Sequence, residues 1–96
     1  MKTIVLKNIV RNSSSNEEGL ILFDLLRDAY LKNEQILLDV DSNLAMSSSF
    51  LNTSIGSFLD NYGFSKFKET FKFKGSKSQF ERLNNYISNY KELYLA

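Results

Sequence analysis

The chain contains no cysteine, histidine, proline or tryptophan among its 96 residues. The lack of cysteine excludes disulfide scaffolds, thiolate metal sites and cysteine nucleophiles. The lack of histidine removes the commonest general base and the commonest transition-metal ligand. We therefore expect no cofactor, no metal site and no catalytic residues, and hence a protein that is not an enzyme.

Charge and hydrophobicity give no sign of a membrane protein or of a strongly basic nucleic-acid-binding domain. Twelve Lys and Arg residues oppose eleven Asp and Glu residues, which leaves a formal net charge of +1. No apolar run approaches the ~20 residues of a membrane span. The first residues lack the long apolar stretch of a secretory signal. We expect a small, soluble, cytoplasmic protein that forms a single domain over residues 1–96.

The first half of the chain has the pattern of strand, helix and strand. Residues 3–10 are rich in β-branched side chains and predict a strand. Ser15 and Glu18 have the spacing of a capping box, which predicts a helix over residues 16–32. Three apolar residues widen the apolar surface of this helix and indicate burial on more than one side: Leu20, Ile21 and Phe23. The apolar run in residues 35–41 predicts a central strand that is covered on both faces.

The second half predicts a helix, a strand and a last helix. Gly63 stands where a helix C-terminus requires a left-handed residue. The apolar residues before it recur at helical spacing: Phe50, Leu51, Ile55, Phe58, Leu59 and Tyr62. After a short linker, residues 69–74 alternate as a strand, with Phe71 and Phe73 on one face. The wet face of that strand is expected to carry Thr70, Lys72 and Lys74.

The last segment predicts a helix that packs on the sheet. Ser78 and Glu81 have capping-box spacing and mark its beginning. Its expected buried stripe comprises Phe80, Leu83, Ile87, Tyr90 and Tyr94. The order β-α-β-α-β-α, without an internal repeat, predicts a small α/β sandwich with a mostly parallel sheet and helices packed on it.

The junction at residues 39–50 is the most informative stretch for function. In open α/β sheets, ligands and partners bind beyond the carboxyl ends of the strands. Ser47, Ser48 and Ser49 stand at the predicted N-terminus of a helix, which favours a phosphate. Phosphorylation there would add about two negative charges. The alternative is that one of these serines is an N-cap and that the others are solvated.

This junction resembles the STAS domain, and more closely its compact STAS-like branch. The resemblance rests on residues 36–39, 47–51 and 58–63. In the main branch, an apolar strand that ends in Asp is followed by an Asp-Ser pair that opens a helix. The Ser of that pair is the phosphorylation switch of anti-sigma factor antagonists. Counted from the Asp at residue 39, the pair falls on Ser47 and Ser48.

Further residues match the STAS-like branch. Ser48, Ser49 and Phe50 form the Ser-Ser-Phe type of sequence found there, and Arg11 with the Ser-rich loop that follows it is similar as well. The resemblance implies a regulatory, non-catalytic subunit that docks on an ATP-binding partner of the anti-sigma or kinase type.

The resemblance also implies which residues act. The docking surface would be the loop and helix at residues 42–62. The phosphoacceptor would be Ser48, with Ser47 and Ser49 as alternatives. The expected partner-binding residues are Asp41, Ser42, Asn43, Ser47, Ser48, Ser49 and Asn52.

Two other functions stay open. The first is a small nucleic-acid-binding protein, because residues 64–77 hold five lysines interleaved with four phenylalanines. The strand pattern argues against it, since Phe71 and Phe73 then point away from Lys72 and Lys74. The basic stretch Lys66–Lys77 is therefore expected to protect a sheet edge. The second is a structural subunit of a larger assembly that keeps the fold without a switch.

The tyrosines of the last helix allow two arrangements. Tyr86, Tyr90 and Tyr94 follow one another at four-residue spacing. They either pack on the sheet with their hydroxyls at the rim or form part of a homodimer interface together with the neighbouring leucines.

Overall fold

The computed structural model describes residues 1–10 and 16–95 and shows strands and helices that alternate along the chain. The strands are β1 (Lys2–Val5), β2 (Ile36–Asp39) and β3 (Phe71–Lys74). The α-helices are α1 (Asn16–Leu31), α2 (Ser48–Leu51), α3 (Ser57–Tyr62), α4 (Phe64–Thr70) and α5 (Lys77–Tyr90). A 3-10 turn covers Leu6–Asn8, and π-helical segments cover Asn52–Gly56 and Lys91–Leu95. The α/β fold class is confirmed.

The three strands form one parallel sheet in the order β1-β2-β3, so the expected central strand is central. Ile4, Leu38 and Phe73 are partners across the sheet and therefore lie on one face. Both crossovers step across the sheet in the same direction. Because such crossovers are right-handed in ~98% of cases, the helices of both lie on the same face.

The opposite face of the sheet is open. It carries the alternate residues of each strand, which are all half-buried or exposed: Thr3, Val5, Leu37, Asp39, Lys72 and Lys74. The prediction that β2 is covered on both faces is therefore wrong, because Leu38 is 1% exposed whereas its neighbour Leu37 is only half-buried. An apolar run does not distinguish one covered face from two.

Residues 48–62 form one continuous helix, the composite helix, which contains α2, the first π-helical segment and α3. Its hydroxyl side chains explain the π-helical turn. Thr53 Oγ1 donates to the carbonyl of Ser49 at 2.8 Å, and Ser54 Oγ donates to the carbonyl of Phe50 at 2.7 Å. These bonds compete with backbone amides for the same carbonyls and loosen the helical ladder. The composite helix ends at Gly63 with φ +87°, as predicted.

Two glycines bring other helices close to the composite helix. A Cβ on Gly19 of α1 would lie 2.7 Å from Thr53 Cβ, and one on Gly56 would lie 2.6 Å from Tyr86 Oη. Tyr86 and Tyr90 accordingly donate hydrogen bonds to Asn52 and to the carbonyl of Gly56. The prediction that these tyrosines pack on the sheet is thus wrong, because α5 faces the composite helix. The side chain of the third tyrosine, Tyr94, lies outside the described residues.

The beginning of the chain departs from the pattern in two ways. The predicted strand 3–10 ends at Val5, because the chain turns and the amides of Ile9 and Val10 both donate to the carbonyl of Leu6. On α1, Leu20 is 50% exposed and Ile21 is 44% exposed, so the expected burial on more than one side is wrong for these two residues. The predicted cap at Ser15 and the loop that begins at Arg11 lie outside the described residues.

The end of the chain departs from the pattern as well. The predicted linker before β3 is the helix α4, and Thr70 at its end is buried instead of lying on a wet strand face. On α5, Leu83 and Tyr90 are buried, but Phe80 is 49% exposed and does not belong to the buried stripe. In the part of the chain that the structure describes, no helix has the length and apolar character needed to cross a membrane.

Candidate functional site

The loop after β2 is held in a defined shape by its own backbone and by α5. Asp41 Oδ1 accepts a hydrogen bond from the amide of Asn43 at 2.9 Å, and the amide of Leu44 donates to the carbonyl of Asp41 at 3.0 Å. Gln79 Nε2 donates to the carbonyls of both Asp41 and Leu44, each at 2.7 Å. Since Gln79 is only 8% exposed, these tethers are shielded from water.

Gln79 also begins α5. Its Oε1 accepts from the amide of Ser76 at 2.9 Å, while Ser76 Oγ accepts from the amide of Gln79 at 3.2 Å. The capping box is thus Ser76 with Gln79, and the predicted box at Ser78 and Glu81 is wrong. Both pairs have the required spacing, and Gln is as suitable as Glu at the third helical position.

The three serines have different positions. Ser47 is the N-cap of α2, because its Oγ accepts from the amide of Phe50 at 3.1 Å. Ser48 and Ser49 follow it in the first turn and are exposed. One serine therefore does act as an N-cap, in agreement with that alternative, and Ser48 is the first exposed hydroxyl after it.

Arg82 joins α5 to the end of the loop. Its Nε donates a hydrogen bond to the carbonyl of Met46, just before the N-cap. Arg82 and Ser48 line the same cleft, of about 360 Å³, between the composite helix and α5. Sequence patterns did not point to Arg82 or to Gln79, because each acts on a backbone carbonyl more than thirty positions away.

Asp41 is a half-buried carboxylate with a stabilised charge. The amide of Asn43 holds the pKa of Asp41 below its ordinary value, and Lys7 lowers it further, although some desolvation acts the other way. Lys7 Nζ lies 3.6 Å from Asp41 Oδ2, so the turn after β1 and the loop after β2 meet at the carboxyl edge of the sheet.

The expected partner-binding residues lie partly in the loop after β2 and partly on the composite helix. Ser42 and Asn43 are exposed beside Asp41 at the carboxyl edge of the sheet. Asn52 is exposed on the composite helix and accepts from Tyr86 Oη at 2.8 Å, on the side that faces α5. Ser48 lines the cleft on that side, whereas Ser49 is absent from the described residues that line it.

The basic stretch has its aromatic rings mostly inside. Phe67 and Phe71 are buried and stack with a centroid separation of 4.7 Å. Lys72 and Lys74 are exposed on the open face of the sheet, opposite to Phe71 and Phe73. Phe64 is half-buried beneath Lys91, whose Nζ lies 4.1 Å from the ring centroid. The strand portion therefore has the expected separation of rings and charges.

Among residues 1–10 and 16–95, no three His, Cys, Asp or Glu side chains come together to hold a metal ion. A larger cavity, of about 630 Å³, lies at the amino ends of the strands, where Lys2, Gln35 and Thr70 line it. It contains none of the predicted site residues.

Comparison with known proteins agrees with this architecture. The model of a family described as a STAS-like domain of unknown function matches residues 18–80, which span β2, the composite helix and β3. The chain belongs to the STAS-like domain family. The STAS-like resemblance is thereby confirmed, and the match includes the loop and the three serines. No curated protein and no solved structure gives a significant match.

Proposed function

We propose that this STAS-like domain is a regulatory subunit without catalysis of its own, which docks through residues 42–62 on an ATP-binding partner of the anti-sigma or kinase type. The main support is the fixed loop beside the exposed first turn of the composite helix. Gln79 and Arg82 bind three carbonyls of this loop, so a partner meets a surface that is already ordered. Preorganisation of this kind lowers the entropic cost of binding.

We propose Ser48 as the phosphoacceptor. Its hydroxyl is exposed, whereas Ser47 Oγ already serves as the cap of α2. In the reaction, Ser48 Oγ forms a bond to the γ-phosphorus of ATP held by the partner, and the bond from that phosphorus to the bridging oxygen of ADP breaks. The hydroxyl proton passes to a base or to water. The product carries about two additional negative charges on the docking surface.

The test combines capture with three variants. Tagged wild-type protein is recovered from its native host, and both the bait and its companions are identified by mass spectrometry. The affinity of the recovered ATP-binding protein is then measured for Ser48→Asp, Ser48→Ala and the control Ser65→Asp, which places the same charge on an exposed serine of α4. We expect Ser48→Asp to weaken binding by about tenfold or more, because the added carboxylate loses water when the docking surface is covered.

The other outcomes decide against parts of the proposal. If Ser48→Asp and Ser48→Ala both bind as the wild type does, the switch at Ser48 is wrong. If Ser65→Asp weakens binding equally, the effect is not specific to the composite helix. A bait that returns without any ATP-binding companion would contradict the docking proposal and favour the structural-subunit interpretation. A bait that returns with nucleic acid would favour the interpretation that the protein binds nucleic acid through its basic stretch.

A further inference from the structure

Ser48 shares the cleft between the composite helix and α5 with Arg82, which is the one cationic side chain among the described residues that line it. The described residues that line it include Ser48 on one wall and Glu81 and Arg82 on the other. Arg82 is held in place because its Nε donates to the carbonyl of Met46, two positions before Ser48. The bond ties the guanidinium to the backbone just before the N-cap of the composite helix.

The rest of the guanidinium is available. Arginine carries five N–H donors, and only the Nε donor of Arg82 has a partner among residues 1–10 and 16–95. Its two terminal amino groups therefore keep their donors within a cleft that the exposed Ser48 also lines. A planar fork of this kind matches the oxygens of a phosphate and binds them with two parallel hydrogen bonds.

We propose that Arg82 binds a phosphate on Ser48 within the same molecule, so that the modified domain has a latch between α5 and the first turn of the composite helix. This inference rests on Ser48 being the phosphoacceptor. The latch makes α5 part of the regulated surface, since the phosphate is held against this helix instead of pointing freely to solvent. Glu81 opposes the phosphate electrostatically, but Arg82 is already positioned by its bond to the loop.

Ser49 provides a matched control. It lies in the same first turn of the composite helix as Ser48 and is also exposed, but it is not among the described residues that line the cleft. A phosphate on Ser49 therefore experiences a similar helix dipole without the guanidinium. The part of the difference between the two sites that Arg82→Gln abolishes therefore reports Arg82 and not the position at a helix N-terminus.

The experiment places phosphoserine genetically at residue 48 or at residue 49 and follows the ³¹P chemical shift against pH. The second pKa of free phosphoserine is about 6. We expect the midpoint for residue 48 to lie below that for residue 49 by about half a pH unit or more, because an adjacent cation favours the dianion. In the Arg82→Gln protein the midpoint for residue 48 should no longer lie below that for residue 49, because Glu81 remains in the cleft. Arg82→Lys keeps the charge but loses the fork, and should retain part of the difference.

Folding of each variant is verified by circular dichroism before titration. If Arg82→Gln does not fold, Arg82→Lys takes its place, and the midpoint difference should then become smaller than in the wild-type background. Equal midpoints at residues 48 and 49 in the wild-type background would overturn the latch. So would a lowered midpoint at residue 48 that survives in Arg82→Gln. Because phosphoserine is installed during translation, these results do not depend on a partner kinase. The latch and the proposed function can therefore fail separately.

Discussion

Changing Gln79 to glutamate isolates the tethers that hold the loop after β2. A glutamate can still accept from the amide of Ser76, so the capping box of α5 survives. The two hydrogen bonds from Nε2 to the carbonyls of Asp41 and Leu44 are lost. Each such bond contributes about 0.5–1.5 kcal/mol net, and leaving the carbonyls without donors adds to the loss. We expect Gln79→Glu to lower the free energy of unfolding by about 2–4 kcal/mol at pH 7.

The pH dependence of this variant has a definite sign. Burial and the two facing carbonyl oxygens disfavour the carboxylate more than the amide of Ser76 favours it, so the pKa of the new glutamate is raised in the folded state. Its protonated form donates to one carbonyl and restores one tether. The variant therefore comes closest to the wild type below the unfolded pKa and loses stability as pH rises through the folded pKa. Urea titrations followed by circular dichroism at pH 4 and pH 7 measure the difference in the free energy of unfolding between the variant and the wild type at each pH.

The control for this change is Gln35→Glu. Gln35 Nε2 also donates to a distant backbone carbonyl, that of Glu69 at 3.1 Å, but Gln35 is exposed. Water replaces the lost donor there, so we expect a cost below about 1 kcal/mol. The tether argument is refuted if Gln79→Glu lowers the free energy of unfolding no more than Gln35→Glu does. It is also refuted if the loss in Gln79→Glu, relative to the wild type, is larger at pH 4 than at pH 7.

Three further predictions address the sheet, the cap and the carboxyl edge. Leu38→Ala should lower the free energy of unfolding, measured in urea, by about 2–4 kcal/mol, and Leu37→Ala should lower it by about 1 kcal/mol or less. Equal losses would contradict an open sheet face. Ser47→Ala should lower the free energy of unfolding by about 1 kcal/mol, because the N-cap of the composite helix is lost. If the same urea titration shows no loss, the cap is not formed in solution. In a carboxyl NMR titration, the pKa of Asp41 should lie below its ordinary value, and Lys7→Gln should raise it only partly, since a backbone amide is the larger cause. Asp41 then contributes stability above its unfolded pKa, and this contribution is lost as pH falls through its folded pKa. An ordinary pKa for Asp41 would contradict the turn.

Local patterns in the sequence determined the order of the elements, apart from the helix α4, and several of their limits. Helical spacing predicted α1, and the run of apolar residues before Gly63 predicted the composite helix and its end, because a periodic apolar stripe and a left-handed cap are encoded within a few residues. Period-two alternation placed Phe71 and Phe73 on one face of β3. The STAS-like family was also recognisable from the strand and the serines around residues 36–51.

The tertiary structure alone decided how the site is assembled. Gln79 reaches the loop across 38 and 35 positions of sequence, and Arg82 reaches Met46 across 36. No local pattern encodes such partners, and Ser78 with Glu81 offered an equally good capping spacing. The same holds for the open face of the sheet. Residues 37 and 38 are both leucines, so the sequence does not distinguish them. Both crossovers place the helices on one side of the sheet, and this layer buries Leu38 more completely than Leu37.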